Sequence, residues 1–157
     1  MAATERRTME YQNVYELSKR NGPPIVDLRH AKIEDDFGDR SHAELSVSHR
    51  VPEDVSREQL DYYGSIYGYL EDSDLLFYLY PIAREYAADN SLECIDAFFY
   101  SLDRSLDAIT VSLSEHDRTA LIDGIRWIWE SGGASYADWY QCKNLQKIIG
   151  ITVKWDD

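Results

Sequence analysis

The residues of this chain that could do chemistry are its histidines, cysteines, carboxylates and tyrosines, and spacing decides what each set can do. The four histidines are His30, His42, His49 and His116. The first three share a segment with Glu34, Asp35, Asp36, Asp39 and Glu44, a mixed imidazole and carboxylate set of the kind that holds zinc or manganese. Yet no His-x-x-x-His pair and no His-Glu-x-x-His run occurs, so the segment reads as a solvated acidic loop, and neither metal nor other cofactor is expected. Cys94 lies between Leu92 and Ile95, and Cys142 falls on an apolar helix face, so both pattern as small buried hydrophobes rather than nucleophiles. There is no Gly-x-Ser-x-Gly elbow and no glycine-rich phosphate loop, and Gly132-Gly133 reads as a helix terminator. Twenty-nine Asp and Glu residues make accidental carboxylate pairs certain, so they single out no general acid or base. The expectation is a protein that is not an enzyme. Its rival is a small metal-dependent hydrolase using His30, His42 or His49 with Asp35 or Asp36.

The tyrosines carry more information. Tyr62, Tyr63, Tyr67, Tyr69, Tyr78 and Tyr80 crowd into nineteen positions beside Asp61, Glu71, Asp72 and Asp74. Tyrosine supplies large rigid contact area with a polar tip and is enriched at binding hot spots. Carboxylates around it would steer a basic partner and speed its association. The charge is uneven in the same direction. Residues 31–75 carry twelve acidic and four basic groups, within a chain of 16 Lys and Arg against 29 Asp and Glu and a net charge of -13. Such a chain lacks the basic face that nucleic acid or anionic membrane requires. The expected partner-binding residues are therefore Asp35, Asp36, Asp61, Tyr62, Tyr69, Glu71, Asp72 and Asp74.

Positioning these residues requires helices. A chain of 157 residues suits one domain with a core of its own. Apolar spacing predicts a first helix over 9–20, stopped by Gly22-Pro23-Pro24, and core helices over 57–70, 74–87, 92–103, 115–130 and 136–148. Ser56 with Gln59 forms a capping box for the second of these, and Ser114 with Asp117 for the fifth. Asp72 or Ser73 would cap the third, with Pro81 kinking it or opening a further helix. On 57–70, Leu60, Tyr63, Tyr67 and Leu70 share the inward face, which leaves Tyr62 and Tyr69 outward. On 115–130, Leu121, Ile125, Ile128 and Trp129 point in and Trp127 elsewhere. The result is a mainly α, single-domain bundle of five to seven helices, with residues 1–8 as a flexible N-terminus and a minor strand pair drawn from 25–51 and 151–155. No stretch reaches the ~20 apolar residues of a membrane span. The first 22 residues lack the apolar run of a signal peptide, so a reducing, cytoplasmic setting is expected.

Two stretches carry a family resemblance. Phe77-Tyr-Leu-Tyr-Pro-Ile-Ala-Arg-Glu-Tyr-Ala-Ala-Asp89 is an aromatic run ended by proline and followed by helix. Leu113 to Trp129, preceded by Phe98-Phe-Tyr-Ser-Leu102, is the second. Over about residues 57–130 the chain resembles a family of short helical bacterial proteins, some encoded beside secreted toxins. Ser73-Asp-Leu-Leu-Phe-Tyr-Leu-Tyr-Pro81 is also similar to the acidic, paired-tyrosine, proline-ended segment of colicin nuclease immunity proteins, which bind basic nucleases. Here two extra residues intervene, the chain is much longer and the flanks differ, so the likeness carries shared physics: tyrosine anchors in an acidic field. What the resemblance implies is an immunity protein whose partner is a cognate toxin with a basic surface, not nucleic acid or membrane. A helical adaptor with no toxin partner is the other binding class.

Overall fold

The most extensively buried helix organises the molecule. After its first turn, the sequence Asp-Ser-Asp-Leu-Leu-Phe-Tyr-Leu-Tyr-Pro-Ile-Ala-Arg-Glu-Tyr-Ala-Ala is apolar on most sides, and such a helix must be surrounded. A computed structural model describes residues 3–28, 31, 49–62, 67–132 and 141–152 of the chain. Its helices are α1 (Ala3–Arg20), α2 (Arg57–Tyr62), α3 (Asp72–Ala88), α4 (Ile95–Ser112), α5 (Glu115–Glu130) and α6 (Lys143–Ile149), with single 3-10 turns at Pro52–Asp54 and Tyr67–Tyr69. Helix α3 packs against α1, α4 and α5, and α6 closes on α4 and α5. Leu75, Phe77, Tyr78, Leu79 and Ile82 of α3 are fully enclosed.

The mainly α bundle expected from the spacing is what forms, but its details differ. No strand occurs among the described residues. At 25–26 the reason is visible: the N–H groups of Ile25 and Val26 donate to the Asp74 carboxylate, at 2.8 and 3.0 Å, instead of to a neighbouring strand. Residues 151–152 are irregular, while 43–48 and 153–155 lie outside the described residues. Residues 3–8, expected as a flexible lead, are the first turns of α1. The helix expected over 57–70 is α2 followed by the Tyr67–Tyr69 turn, with 63–66 outside the described residues. Helix α4 runs beyond residue 103 to Ser112, because Leu106 and Ile109 continue the buried row of Phe98, Phe99 and Leu102. Of the helix expected over 136–148, residues 136–140 lie outside the described residues; helix α6 covers Lys143–Ile149, and the Asp103 carboxylate of α4 accepts from Leu145 N at 3.0 Å and so caps it from outside.

The caps explain the boundaries. Ser56 and Gln59 exchange bonds at the start of α2: Gln59 N donates to Ser56 Oγ (3.2 Å) and Ser56 N to Gln59 Oε1 (3.0 Å). Ser114 Oγ accepts from Asp117 N at 3.2 Å and opens α5. The cap of α3 is Glu71, one residue before the expected pair, and its N–H donates to Asp74 at 3.1 Å. Helix α3 also passes through Pro81 unbroken. Ser18 of α1 reaches into it, donating to Leu76 O at 2.8 Å and accepting from Tyr80 N at 3.0 Å, so backbone groups just before the proline are served by a side chain.

Two glycines set how closely helices approach. A Cβ on Gly124 would stand 2.8 Å from Leu79 Cδ2 and 3.3 Å from Val14 Cγ1, so α5 lies tight against α3 and α1 there. This turns the buried face of α5 toward Ala120 and Gly124. Trp127 is consequently buried and Trp129 only half-buried, the reverse of the expectation. Gly22 ends α1 directly over the Phe77 ring, where a Cβ would come within 2.4 Å. Gly22→Ala is expected to cost ~1–3 kcal/mol through overpacking. Urea denaturation checks this, and an unchanged midpoint would show that Phe77 can move aside.

Candidate protein-binding face

The described residues on either side of 63–66 meet α4 at separate points, the Tyr67–Tyr69 turn packing directly on it. At one end, Asp61 Oδ1 accepts from Glu93 N, just before α4, at 3.1 Å. In the middle, Gly68 faces the Arg104 guanidinium, whose Nη2 would lie 3.5 Å from a Cβ there. At the other end, Asp72 and Ser73 share a groove with Ile109 and Ser112. Buried residues pin both parts. Tyr67 lies edge-on to Phe98 of α4 at 5.7 Å and to Tyr78 of α3 at 6.5 Å, and Leu60 and Leu70 are buried on either side of it.

This arrangement gathers five of the eight residues nominated from sequence. Tyr62 and Tyr69 are outward, at 76% and 43% exposure, and Tyr67 is inward, as the helix geometry required. Glu71 and Asp72 are exposed, and Asp61 is half-buried by its bond to Glu93. Asp74 is different. It is fully enclosed, with its carboxylate held by the N–H groups of Ile25, Val26 and Glu71, so it leaves the set of surface contacts. Burial pushes its carboxyl above the ordinary value, against the pull of those three donors. Asp35 and Asp36 lie outside the described residues, as does Tyr63.

Sequence reasoning missed the contribution of α4 itself. Tyr100 is 37% exposed, Val111 is 84% exposed, and Arg104 stands between them, one turn beyond Tyr100. The signal was present: Tyr100 is off the 98, 99, 102 row, so a tyrosine there had to face outward. Tyr69 and Tyr100 therefore come from a turn and a helix that pack on one another, and Tyr62 follows Asp61, whose carboxylate holds Glu93 N just before α4.

The residues proposed for catalysis are committed elsewhere. His49 is buried with both ring nitrogens engaged, Nδ1 with Tyr78 Oη and Nε2 with Gln59 Oε1, each at 2.9 Å. Gln59 Oε1 can only accept, so the network assigns the proton to Nε2, and Nδ1 accepts from the Tyr78 hydroxyl. The same hydroxyl accepts from Leu28 N at 3.3 Å. An imidazole so used has no lone pair to offer a metal. His30 and His42 lie outside the described residues, and His116 is exposed on α5. Among the described residues no three His, Cys, Asp or Glu side chains converge as a metal site. Cys94 and Cys142 are buried without a disulfide, and burial pushes the Cys94 thiol up to about 12, which leaves it protonated and unreactive at neutral pH. No described helix is long and apolar enough to cross a membrane. No known protein family, curated protein or solved structure matches the chain.

Proposed function

We propose that this chain is an immunity protein: it binds a bacterial toxin in the cytosol and neutralises it by covering the toxin's basic active surface. The observation that carries the reading is the exposure of Tyr62, Tyr69 and Tyr100, on α2, on the Tyr67–Tyr69 turn and on α4, together with the exposed carboxylates of Glu71, Asp72 and Glu93. Tyrosines in such a setting act as anchors, and the surrounding charge accelerates encounter with a cationic surface. A net charge of -13 adds long-range attraction of the same sign. The occupation of both His49 nitrogens removes one of the three imidazoles on which the hydrolase reading could draw.

The test is to express the protein encoded beside this chain in a host cell, alone and together with it. Toxicity abolished by co-expression supports the reading, and a neighbour that is harmless or equally toxic in its presence overturns it. Binding kinetics then locate the surface. Tyr62→Ala and Tyr69→Ala are expected to speed dissociation, each costing more than ~1 kcal/mol. Lysine at Asp61 and Glu71, or at Asp35 and Asp36, is expected to slow association, with the effect shrinking as salt rises. Unchanged rates in all these variants would move the interface elsewhere on the molecule.

A further inference from the structure

At Asp72 the surface opens into a groove of about 370 Å³ between the C-terminal ends of α1 and α4 and the first turns of α3 and α5. Its size is at the low end of ligand clefts, which run ~300–1,000 Å³, and suits one long side chain better than a cofactor. Leu76, Ile109 and Leu113 give it an apolar floor. Asp72 and Asp117 stand at its rim, one from the first turn of each N-terminal helix end. Bare helix N-termini would favour an anion, but these two carry their own acids, Glu71, Asp72 and Asp74 on one and Glu115 and Asp117 on the other. The groove already receives one guanidinium, since Arg20 of α1 pairs with Asp117. Asp72 is exposed and has no hydrogen-bond or ion-pair partner among the described residues.

We infer that this groove is the seat of an arginine side chain presented by the partner protein. The aliphatic stem of arginine lies on an apolar floor while its head stays at a polar rim, and its planar fork matches a carboxylate. Asp72 takes the incoming head, and the Arg20–Asp117 pair forms the opposite wall and shields the second carboxylate. The inference rests on the binding role proposed above and specifies one pocket of it. It places Asp72 at the rim of a socket that begins three residues beyond the exposed Tyr69.

The experiment needs no partner. The ¹⁵N-labelled chain is titrated with N-acetyl-arginine methylamide, and with the norleucine and glutamate analogues as controls, while backbone amide shifts are followed by NMR. The arginine probe is expected to give saturable shifts confined to the amides of Asn21, Ser73, Leu76 and Leu113, and the two controls far smaller ones. Asp72→Asn is expected to weaken the arginine probe about fivefold, the span of an exposed ion pair. Asp72 is an exposed first-turn residue, so this variant keeps its fold, which the remaining amide peaks verify directly. Shifts spread over the whole acidic surface, shifts indifferent to Asp72→Asn, or no response to the probe would each overturn the socket. Probe binding with no neutralisation of the neighbouring protein retains the groove and removes the immunity role. Neutralisation without probe binding does the opposite.

Discussion

Trp127→Ala is expected to lower the unfolding free energy by ~3–5 kcal/mol, and Trp129→Ala by less than about half of that. The two tryptophans stand on the same helix two positions apart, so composition and propensity cannot separate them. Their surroundings can. Trp127 is 9% exposed and stacks on Tyr11 of α1, with ring centroids 3.9 Å apart and planes 19° off parallel. It also meets Tyr80 of α3 at 6.0 Å, and Tyr80 meets Tyr15 of α1 at 5.2 Å. Removing Trp127 therefore takes away burial and aromatic contacts with two other helices at once, each aromatic pair adding ~0.5–1.5 kcal/mol to burial alone. Trp129 is half-buried at the margin of the core and loses less. Urea titration of both variants decides the matter. Equal losses, or a larger one for Trp129→Ala, would place the buried face of α5 where its large apolar residues alone would put it.

That contrast also shows what periodicity can and cannot reveal. Helix α5 was legible to the residue, because Ser114 and Asp117 mark its start and glycine follows its end. The face it buries was not, because Ala120 and Gly124 carry almost no hydrophobic weight yet decide how near α1 and α3 can come. The Ser56 and Gln59 pair was legible for the same local reason as the α5 cap. What depends on remote chain was not. Asp103 caps α6 from α4, and Ser18 of α1 bridges α3 ahead of Pro81. The outward Tyr62 and Tyr69 followed from helical spacing even though α2 ends at Tyr62, since the buried Leu60, Tyr67 and Leu70 keep the intended face inward. Tyr100 was obscured by its neighbours Phe98 and Phe99, which fill the core and made the whole run look internal.

Asp74→Ala is expected to cost ~3 kcal/mol or more, and to do so without touching any partner. Its two carboxylate oxygens hold Ile25 N, Val26 N and Glu71 N at 2.8, 3.0 and 3.1 Å, tying the chain after α1 to the first turn of α3. Hydrogen bonds to a charged acceptor contribute ~1.5–3 kcal/mol each, and truncation leaves three donors facing an apolar gap. Asp74→Asn preserves shape but offers one acceptor oxygen and an NH₂ that confronts the donors, so it also destabilises. Its pH dependence reports the state of the carboxyl. Burial raises the folded pKa above the ordinary 3.8, so the folded protein binds this proton more tightly than the unfolded chain does. The stability linked to that proton is fully present below the unfolded value and is lost as pH rises through the folded one. The gap between wild type and Asp74→Asn is therefore expected to widen on going from pH 7 to below 4. Comparing the two proteins cancels the other carboxylates, Asp123 among them, whose folded pKa is also raised by burial. Urea midpoints at both pH values measure the gap. A gap that narrows in acid would mean that the three N–H donors outweigh burial and hold the carboxyl below its ordinary value. The same residue bears on the interface: Asp72 and Ser73 of the groove belong to the turn that Asp74 secures. A binding defect in Asp74→Ala would therefore come with lost stability, whereas one in Asp72→Asn would not, and measuring both on each variant separates the support of the site from its contact surface.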